Sequence, residues 1–363
     1  MSNPASPRYL ALDVFRGLTL ALMIIVNTPG GENSYAPLEH ALWHGFTLTD
    51  LVFPSFLFVV GAAMSLSMKK FEAHGEAYFL KRVFKRGALI FLCGYLLYWF
   101  PFFTPDFTLA PFANTRVMGV LQRIGLCYLF AALIVRYSGL RGAAVFSVIA
   151  LTGYWWLLAS FGDYTLSGNA VLKLDLALLG APHLYHGEGI AFDPEGILST
   201  LPSIVNVLAG YGAAVWLRQK RPLTKLAMAG AACLLLAYGW DALLPMNKKL
   251  WTSSFVACTV GWDLIILAVL SAVIDKAGLR SGTYFFEVFG KNTLFIYVLA
   301  DVAVIVLARL YVGGDMLYRW LYQTLFLSWS SPYNASLLFA VAYMLACWLV
   351  AYVMDRRKIY IKL

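Results

Sequence analysis

Long apolar segments recur along the whole chain and limit its fold more than any other feature. A membrane-crossing helix needs about 20 mostly apolar residues. Hydrophobic residues make up 61% and charged residues 13% of the 363 positions, whereas soluble domains are about half apolar and a quarter charged. The sequence predicts an all-α polytopic membrane protein with about ten transmembrane helices, near residues 9–28, 49–68, 87–103, 117–136, 143–161, 198–217, 225–245, 252–274, 288–311 and 335–354.

The predicted spans follow one another without a convincing internal repeat or a low-complexity linker, so we expect a single transmembrane domain over residues 1–363. The longest segment between spans is a loop region at about 162–197. The segment 315–331 is rich in aromatic residues but short. It is typical of an interfacial helix rather than of an eleventh span.

The distribution of Lys and Arg predicts the orientation. Cytoplasmic loops of membrane proteins carry an excess of both residues. If the N-terminus is cytoplasmic, 19 of the 28 basic residues, including Arg8 and Lys362, fall on the cytoplasmic side and 5 on the other. Both termini are then cytoplasmic, and the 29–48 loop and the 162–197 loop face the periplasm of a bacterial inner membrane. This arrangement also accounts for the net charge of +9 without nucleic acid.

Two polar stretches between the first two spans contain the residues best suited to chemistry. They are Val26–Gly31 and Leu38–Asp50, with Asn27, His40, His44 and Asp50. An imidazole exchanges protons near neutral pH, which points to chemistry at one membrane face. Asp50 has two interpretations, since it can orient His40 as the third group of a triad or cap the second helix.

Charged residues inside predicted spans are costly and usually face a partner or a cavity. Asp13 and Arg16 share one helix face, as a structural ion pair or as a polar cavity wall. Arg123 has no acidic partner within one turn, which favours an anionic ligand or an acid on another helix. Lys291 is an anchoring lysine or a phosphate ligand.

Two further features stay open at the sequence level. Lys248 and Lys249 fall on the non-cytoplasmic side of the predicted topology, against the general excess of Lys and Arg on the cytoplasmic side. They bind an acidic partner from the long loop, bind a substrate, or only fill a short loop. Pro54 and Gly61 interrupt the second span, because it lines a cavity or because it packs with a kink. The five Cys residues lack CxxC spacing, so no metal site or disulfide framework is expected.

Eight motifs in order resemble the heparan-α-glucosaminide N-acetyltransferase family, and most closely its bacterial NagX-type members. The matching strings are Leu12-Asp-Val-Phe-Arg-Gly17, Val26-Asn27, Glu39-His-Ala-Leu-Trp43, Thr49-Asp-Leu-Val-Phe-Pro54, Gly119-Val-Leu-Gln-Arg-Ile-Gly125, Phe192-Asp-Pro-Glu-Gly-Ile-Leu198, Asn247-Lys-Lys-Leu-Trp251 and Gly290-Lys-Asn292. The resemblance covers nearly the whole chain except 138–180. An extracytoplasmic domain that precedes the first span in lysosomal members is not expected here.

The resemblance implies acetyl transfer from cytosolic acetyl-CoA to the amino group of a glucosamine-like amino sugar on the far side of the membrane. It assigns the catalytic histidine to His40 and a neighbouring asparagine to Asn27, with Asp50 as a third candidate. Candidate acetyl-CoA ligands are Arg16, Arg86, Gln122, Arg123, Lys291 and Asn292. Candidate acceptor ligands are Trp43, Asp193, Glu195, Asn247 and Lys248. Asp193-Pro-Glu also reads as a helix start.

The sequence is compatible with two mechanisms of acetyl transfer. A neutral imidazole takes a proton from the acceptor ammonium, or it attacks the thioester and carries the acetyl group itself. Asn27 would donate to the oxyanion or orient the imidazole. The alternative function is an amino-sugar or N-acetylglucosamine transporter, although the paired broken helices common in transporters are not evident. No metal is expected, and a homodimer is compatible with the sequence.

Overall fold

The computed structural model describes residues 9–104 and 106–361, apart from the side chains of Lys69, Lys70 and Glu72. Arg8 and Lys362, which were counted toward the cytoplasmic charge, lie outside the described residues. Twelve α-helices occur in the described ranges: α1 (Leu10–Asn27), α2 (Leu48–Glu72), α3 (Glu76–Trp99), α4 (Val120–Phe161), α5 (Ala170–Leu178), α6 (Ile197–Arg218), α7 (Leu223–Asp241), α8 (Ser253–Leu270), α9 (Thr283–Lys291), α10 (Thr293–Leu307), α11 (Leu317–Tyr322) and α12 (Pro332–Arg356).

Short elements join these helices. A two-residue antiparallel pair, β1 (Tyr311–Val312) and β2 (Asp315–Met316), precedes α11. Turns of 3₁₀-helix cover Ala36–Leu38, Phe112–Asn114 and Ala181–His183, and π-helical turns continue α8 over Ser271–Lys276 and α11 over Gln323–Leu327. The segment that was predicted to be an interfacial helix thus contains α11 and its π-helical turn. Its position at a membrane surface stays a prediction.

The all-α polytopic membrane architecture is confirmed at the level of helix length and composition. Among the described residues, seven helices are long and apolar enough to cross a membrane, or eight if the bent pair of α9 and α10 is one span. The sequence predicted about ten. The difference lies in α3, whose first half is rich in charge, and in α4, where two predicted spans form one 42-residue element.

Helix α4 has a break at its centre. Gly139 has φ 64° and ψ −169°, so the helical path is interrupted between the two predicted spans. A positive φ of this kind is readily adopted by glycine and strained for other residues. At about 1.5 Å per residue, the two helical segments on either side of Gly139 add up to about 63 Å of helix, roughly twice the hydrocarbon thickness of a bilayer.

The helices fall into two compact units. The first unit comprises the described parts of Met1–Glu39, Pro222–Met228 and Asp263–Lys362, and the second comprises His40–Arg221 and Ala229–Trp262. In the first unit α1 packs against α9 and α12. Helices α9 and α10 meet at a bend of 83°.

In the second unit α2 packs closely on α6, and α4 packs on α3 and α6. A Cβ added at Gly210 would lie 1.8 Å from the carbonyl oxygen of Phe58, and one at Gly61 would lie 1.8 Å from that of Val207. The α2 helix continues through Pro54 and Gly61. The contact at Gly61 therefore favours the packing interpretation of this position over the cavity-lining one.

The 162–197 region is ordered around its own core in the second unit. Helix α5 and the segment near Phe192 pack against Tyr154 and Leu158 of α4 and against Leu250. The Tyr154 hydroxyl donates to the carbonyl oxygen of Leu250 at 2.5 Å. This core therefore holds the end of the 162–197 loop next to the segment that follows α7.

Candidate active site

Asp50 is central to the site because its carboxylate contacts both the residue that caps α2 and the imidazole of His40. Thr47 precedes the first residue of α2, and Asp50 is the third residue of the helix. Its Oδ2 accepts hydrogen bonds from the backbone N–H of Thr47, the hydroxyl of Thr47 and the backbone N–H of Ala41, all at 3.1 Å. A carboxylate that reaches back to the capping residue in this way stabilises the helix start.

The other carboxylate oxygen of Asp50 faces His40. The distance from Oδ1 to Nδ1 of His40 is 2.7 Å, and the side chain of Asp50 is 1% exposed against 41% for His40. Since a carboxylate only accepts, the proton of the neutral imidazole lies on Nδ1. The lone pair is then on Nε2. The two functions that the sequence left as alternatives for Asp50 correspond to contacts of its two different oxygens.

Lys248 lies beside the same imidazole. Its Nζ is 3.1 Å from Nδ1 and 3.0 Å from Nε2 of His40, and 4.0 Å from Oδ1 of Asp50. The short segment that carries it is held by Asn247, which is fully buried. The Asn247 side-chain oxygen accepts from the backbone N–H of Leu250 at 2.8 Å, and the backbone N–H of Asn247 donates to the hydroxyl of Thr252 at 3.0 Å.

Arg116 organises the acidic side of the site. It donates from Nε and Nη2 to the two oxygens of Asp193 at 2.8 and 2.7 Å, and from Nη2 to Glu195 at 2.6 Å. Its guanidinium carbon lies 4.8 Å from the ring centres of both Tyr98 and Tyr185. Asp193 is fully buried, so it positions Arg116, whereas Glu195 also lines the cavity described next.

A cavity of about 230 Å³ connects these groups. Its ionisable lining residues come from α2, the loops and the segment after α7: His40, Asp50, Arg116, Glu188, Glu195, Lys248 and Lys249. Lys249 donates to Glu188 at 2.5 Å. Lys249 thus has an acidic partner from the long loop, one of the alternatives that the sequence left open. Each cation on the wall lies near a carboxylate, so the cavity is polar without a large excess of either charge.

Burial and neighbouring charges change the pKa values of several loop groups. Burial lowers the pKa of Lys248, although Asp50 and Glu195 oppose that change. Burial alone would raise the pKa of Glu195, but the charges of Arg116, Arg123 and Lys248 outweigh it and lower this pKa. Burial likewise lowers the pKa of His44. At neutral pH Glu195 is therefore an anion.

Arg123 lies directly behind the wall that Glu195 belongs to. It is fully buried in α4. Its Nη2 donates to the carbonyl oxygen of Gly196 at 3.2 Å and to the Ser199 hydroxyl, and its guanidinium lies 4.8 Å from the Trp251 ring centre. Its Nε and Nη1 have no hydrogen-bond partner among the described residues. Arg123 thereby ties α4 to the start of α6.

Other predicted ligands of the second unit lie outside the cavity lining. Trp43 donates from its indole to the carbonyl oxygen of Tyr164 at 2.7 Å and packs on Phe192. Gln122 is fully buried, and neither polar atom of its side chain has a partner within the described ranges. Arg86 lies 4.9 Å from the Tyr128 ring centre.

The remaining predicted residues belong to the first unit. Arg16 contacts the carbonyl oxygen of Gly290 at 3.1 Å and Asp13 at 3.6 Å. Lys291 pairs with Asp355 at 2.7 Å. The Asn292 side chain bonds the backbone of Ile359 and Ile361, at 2.9 Å in each case. Asn27 is exposed at the end of α1. These four residues do not line the His40 cavity.

Comparison with known proteins decides the family. Residues 8–244 match the catalytic region described as heparan-alpha-glucosaminide N-acetyltransferase, catalytic. The chain belongs to this family. It is 32% identical over 357 residues to the human heparan-alpha-glucosaminide N-acetyltransferase and 31% identical over 355 residues to the mouse protein. Each comparison covers 80% of this chain but 52% and 53% of the relative. The chain thus spans about half the length of these relatives.

The family resemblance predicted from sequence is confirmed, while the NagX-type subgroup stays a prediction. The sequence did not predict that Arg116, Tyr185 and Glu188 line the cavity. Arg116 and Glu188 were visible as charges in outer loops. Nothing in their spacing indicated that Arg116 meets residues 77 and 79 positions later.

Proposed function

We propose that the chain is a transmembrane acetyltransferase of a bacterial inner membrane. It would move the acetyl group of cytosolic acetyl-CoA to the amino group of a glucosamine-like amino sugar on the periplasmic side. The observation that carries the proposal is His40, which lines a polar cavity and has its Nδ1 bound to a buried carboxylate. Family membership supports the same chemistry.

The proposed reaction needs a base, because an ammonium ion is not a nucleophile. Nε2 of His40 takes one proton from the acceptor ammonium, and the neutral amine attacks the thioester carbonyl. The attacking nitrogen gives up its second proton as the carbon–sulfur bond breaks and the coenzyme A thiolate leaves. Of the two protons lost by the ammonium, one ends on the thiolate and the other is released to water. Such general base catalysis contributes on the order of 10²–10⁴ in rate. Attack of Nε2 itself on the thioester would give an acetyl-imidazole intermediate instead.

On the acceptor side, Glu195 and Glu188 present carboxylate oxygens that suit sugar hydroxyls. Drug-sized ligands occupy pockets of about 300–1,000 Å³, so a cavity of about 230 Å³ has room for about one sugar ring. We assign Asp193 to the positioning of Arg116, and Trp43 and Asn247 to the support of the loops around His40. Lys248 contacts the imidazole of His40.

On the donor side, the proposed path of the thioester arm runs along α3 and α4. Arg86, Gln122 and Arg123 are polar groups on these helices with unsatisfied atoms, and such groups within spans usually face a ligand path or a partner. Arg16, Lys291 and Asn292 stay candidates for the coenzyme A phosphates at the cytoplasmic mouth. They would have to exchange their present contacts to bind them. Asn27 stays a candidate oxyanion donor.

The proposed topology has ten spans with both termini in the cytoplasm. The two halves of α4 on either side of Gly139 cross separately, and α3 crosses with its basic first half at the cytoplasmic surface. Arg82, Lys85 and Arg86 lie in that half, which agrees with the excess of Lys and Arg in cytoplasmic segments. The 162–197 loop and His40 then face the periplasm.

The test uses purified protein in detergent, acetyl-CoA labelled on its acetyl group, and glucosamine. We expect labelled N-acetylglucosamine from wild type and a loss of at least about 10²-fold with His40→Ala. His186→Ala is the matched control, because His186 is an exposed loop histidine outside the cavity lining. Wild type without product, combined with glucosamine uptake into proteoliposomes that survives His40→Ala, would support the transporter instead.

A further inference from the structure

The position of the Lys248 ammonium relative to the His40 ring is unusual. Its Nζ is almost equally far from both ring nitrogens, at 3.1 and 3.0 Å. A point in the ring plane at such distances from both would overlap the carbon that joins the two nitrogens. The ammonium therefore lies over the face of the imidazole. An ammonium in this position does not occupy the in-plane lone pair of Nε2, and His40 lines the cavity.

A cation in this position opposes a second positive charge on the ring. Like charges raise the free energy of the protonated imidazole and so favour its neutral form. Asp50 acts in the opposite sense from the other side, because its carboxylate at 2.7 Å favours the imidazolium. Asp50 and Lys248 thus act on a positive charge of the ring in opposite directions.

We propose that Lys248 is a positioning residue that keeps His40 unprotonated, so that Nε2 can accept the proton of an incoming ammonium substrate. This inference rests on the proposed function of His40 as the base. It differs from the sequence-based expectation that Lys248 binds the sugar. In this arrangement Asp50 sets which nitrogen carries the ring proton, and Lys248 keeps the ring from gaining a second one.

Other charges act on Lys248 and keep it in place. Asp50 and Glu195 attract its ammonium, while Lys249 and Arg123 repel it. Glu195 is itself held by Arg116 at 2.6 Å. Burial lowers the pKa of Lys248, as expected for an ammonium with little contact with water. The carboxylates of Asp50 and Glu195 oppose this effect of burial and favour the charged form of Lys248.

The experiment is the pH dependence of kcat/KM for glucosamine acetylation. Its acidic limb reports the protonation of the free enzyme's base. Even with the dielectric constant of water, a unit charge about 3 Å away shifts a pKa by about one unit. We expect Lys248→Met and Lys248→Gln to move the acidic limb to higher pH by about one unit or more. Activity should approach that of wild type at alkaline pH.

Three controls separate this role from a structural or sugar-binding one. Lys248→Arg keeps the charge and should keep the acidic limb near its wild-type position. Lys173→Met makes the same charge change at an exposed residue of α5, outside the cavity lining, and should leave the profile unchanged. The glucosamine amine also titrates, and it does so equally for all variants. The comparison therefore uses only the differences between the pH profiles of the variants and of wild type.

Several outcomes would overturn the inference. An unchanged acidic limb in both neutral variants, with only a raised KM for glucosamine, would make Lys248 a sugar ligand. A limb that moves upward in Lys248→Arg would show that the charge is not the cause, and this variant decides the question if the neutral variants do not fold. Both results leave acetyl transfer by His40 intact. Absence of any acetyl transfer by wild type would instead refute the proposed function.

Discussion

The substitution Asp50→Asn tests the structure of the site most sharply, because it changes one atom in a fixed environment. Three donors, two backbone N–H groups and the Thr47 hydroxyl, surround Oδ2 of Asp50 at 3.1 Å. The amide oxygen must take this position, since an NH₂ group there would face only donors. The NH₂ group of the new side chain is then directed at Nδ1 of His40.

This exchange forces the imidazole into its other tautomer. Nδ1 must offer a lone pair to the amide, so the ring proton moves to Nε2, and the cavity then faces a donor instead of a base. In serine hydrolases the equivalent exchange lowers kcat about 10⁴-fold while the geometry stays intact. Because His40 is 41% exposed and its ring can change partners, we expect a loss of about 10²–10⁴-fold.

Stability should change much less than activity. The three bonds to Oδ2 remain, and one charge-assisted bond becomes a neutral one, which amounts to about 1 kcal/mol. Steady-state acetylation of glucosamine and thermal unfolding in detergent measure the two effects. Asp163→Asn is the control, since Asp163 also caps a turn, by accepting from Thr165 at 2.8 Å, but lies in an exposed loop. Near-normal kcat, or a loss of activity that follows a lower Tm, would contradict this reasoning.

Three further predictions concern stability, packing and orientation. Burial raises the pKa of Asp175 to about 7, so the folded carboxyl keeps its proton while the unfolded one ionises near pH 4, and stability falls as the pH rises from about 4 to about 7. The folded protein should lose about 1.4 kcal/mol between pH 6 and pH 8 through this group, and Asp175→Asn should flatten that slope in thermal unfolding. Gly210→Ala should prevent accumulation of folded protein, because its Cβ would lie 1.8 Å from the carbonyl oxygen of Phe58; normal yield and Tm would refute this. A membrane-impermeant maleimide should label Lys173→Cys but not Lys220→Cys in intact cells, and the reverse pattern would invert the proposed orientation.

The sequence predicted most spans because their length and apolar composition are local properties. The helices α1, α2, α6, α7, α8 and α12 overlap predicted spans, since a run of about 20 apolar residues has few alternatives to a membrane helix. The bend between α9 and α10 was not predicted. It occurs at Asn292, within the predicted span 288–311.

The candidate site was predicted in part, and the division has a physical reason. His40 and Asp50 lie ten residues apart across one helix start, so the motif that contains them already implies their proximity. Lys248 is 208 residues from His40. Its position depends on how α7 and α8 return the chain to the loop, which no local pattern encodes. The packing of α5 and Phe192 against the end of α4 likewise decides where Glu188 and Glu195 lie.

Transfer across a sealed membrane is the central claim, and one reconstitution measures it. Proteoliposomes loaded with glucosamine receive acetyl-labelled acetyl-CoA outside, and the lumen is then separated and assayed for labelled N-acetylglucosamine. Protein molecules whose cytoplasmic face points outward should produce labelled N-acetylglucosamine inside the liposomes. Liposomes that contain His40→Ala are the negative control. Product formed only when donor and acceptor share one compartment would contradict the account.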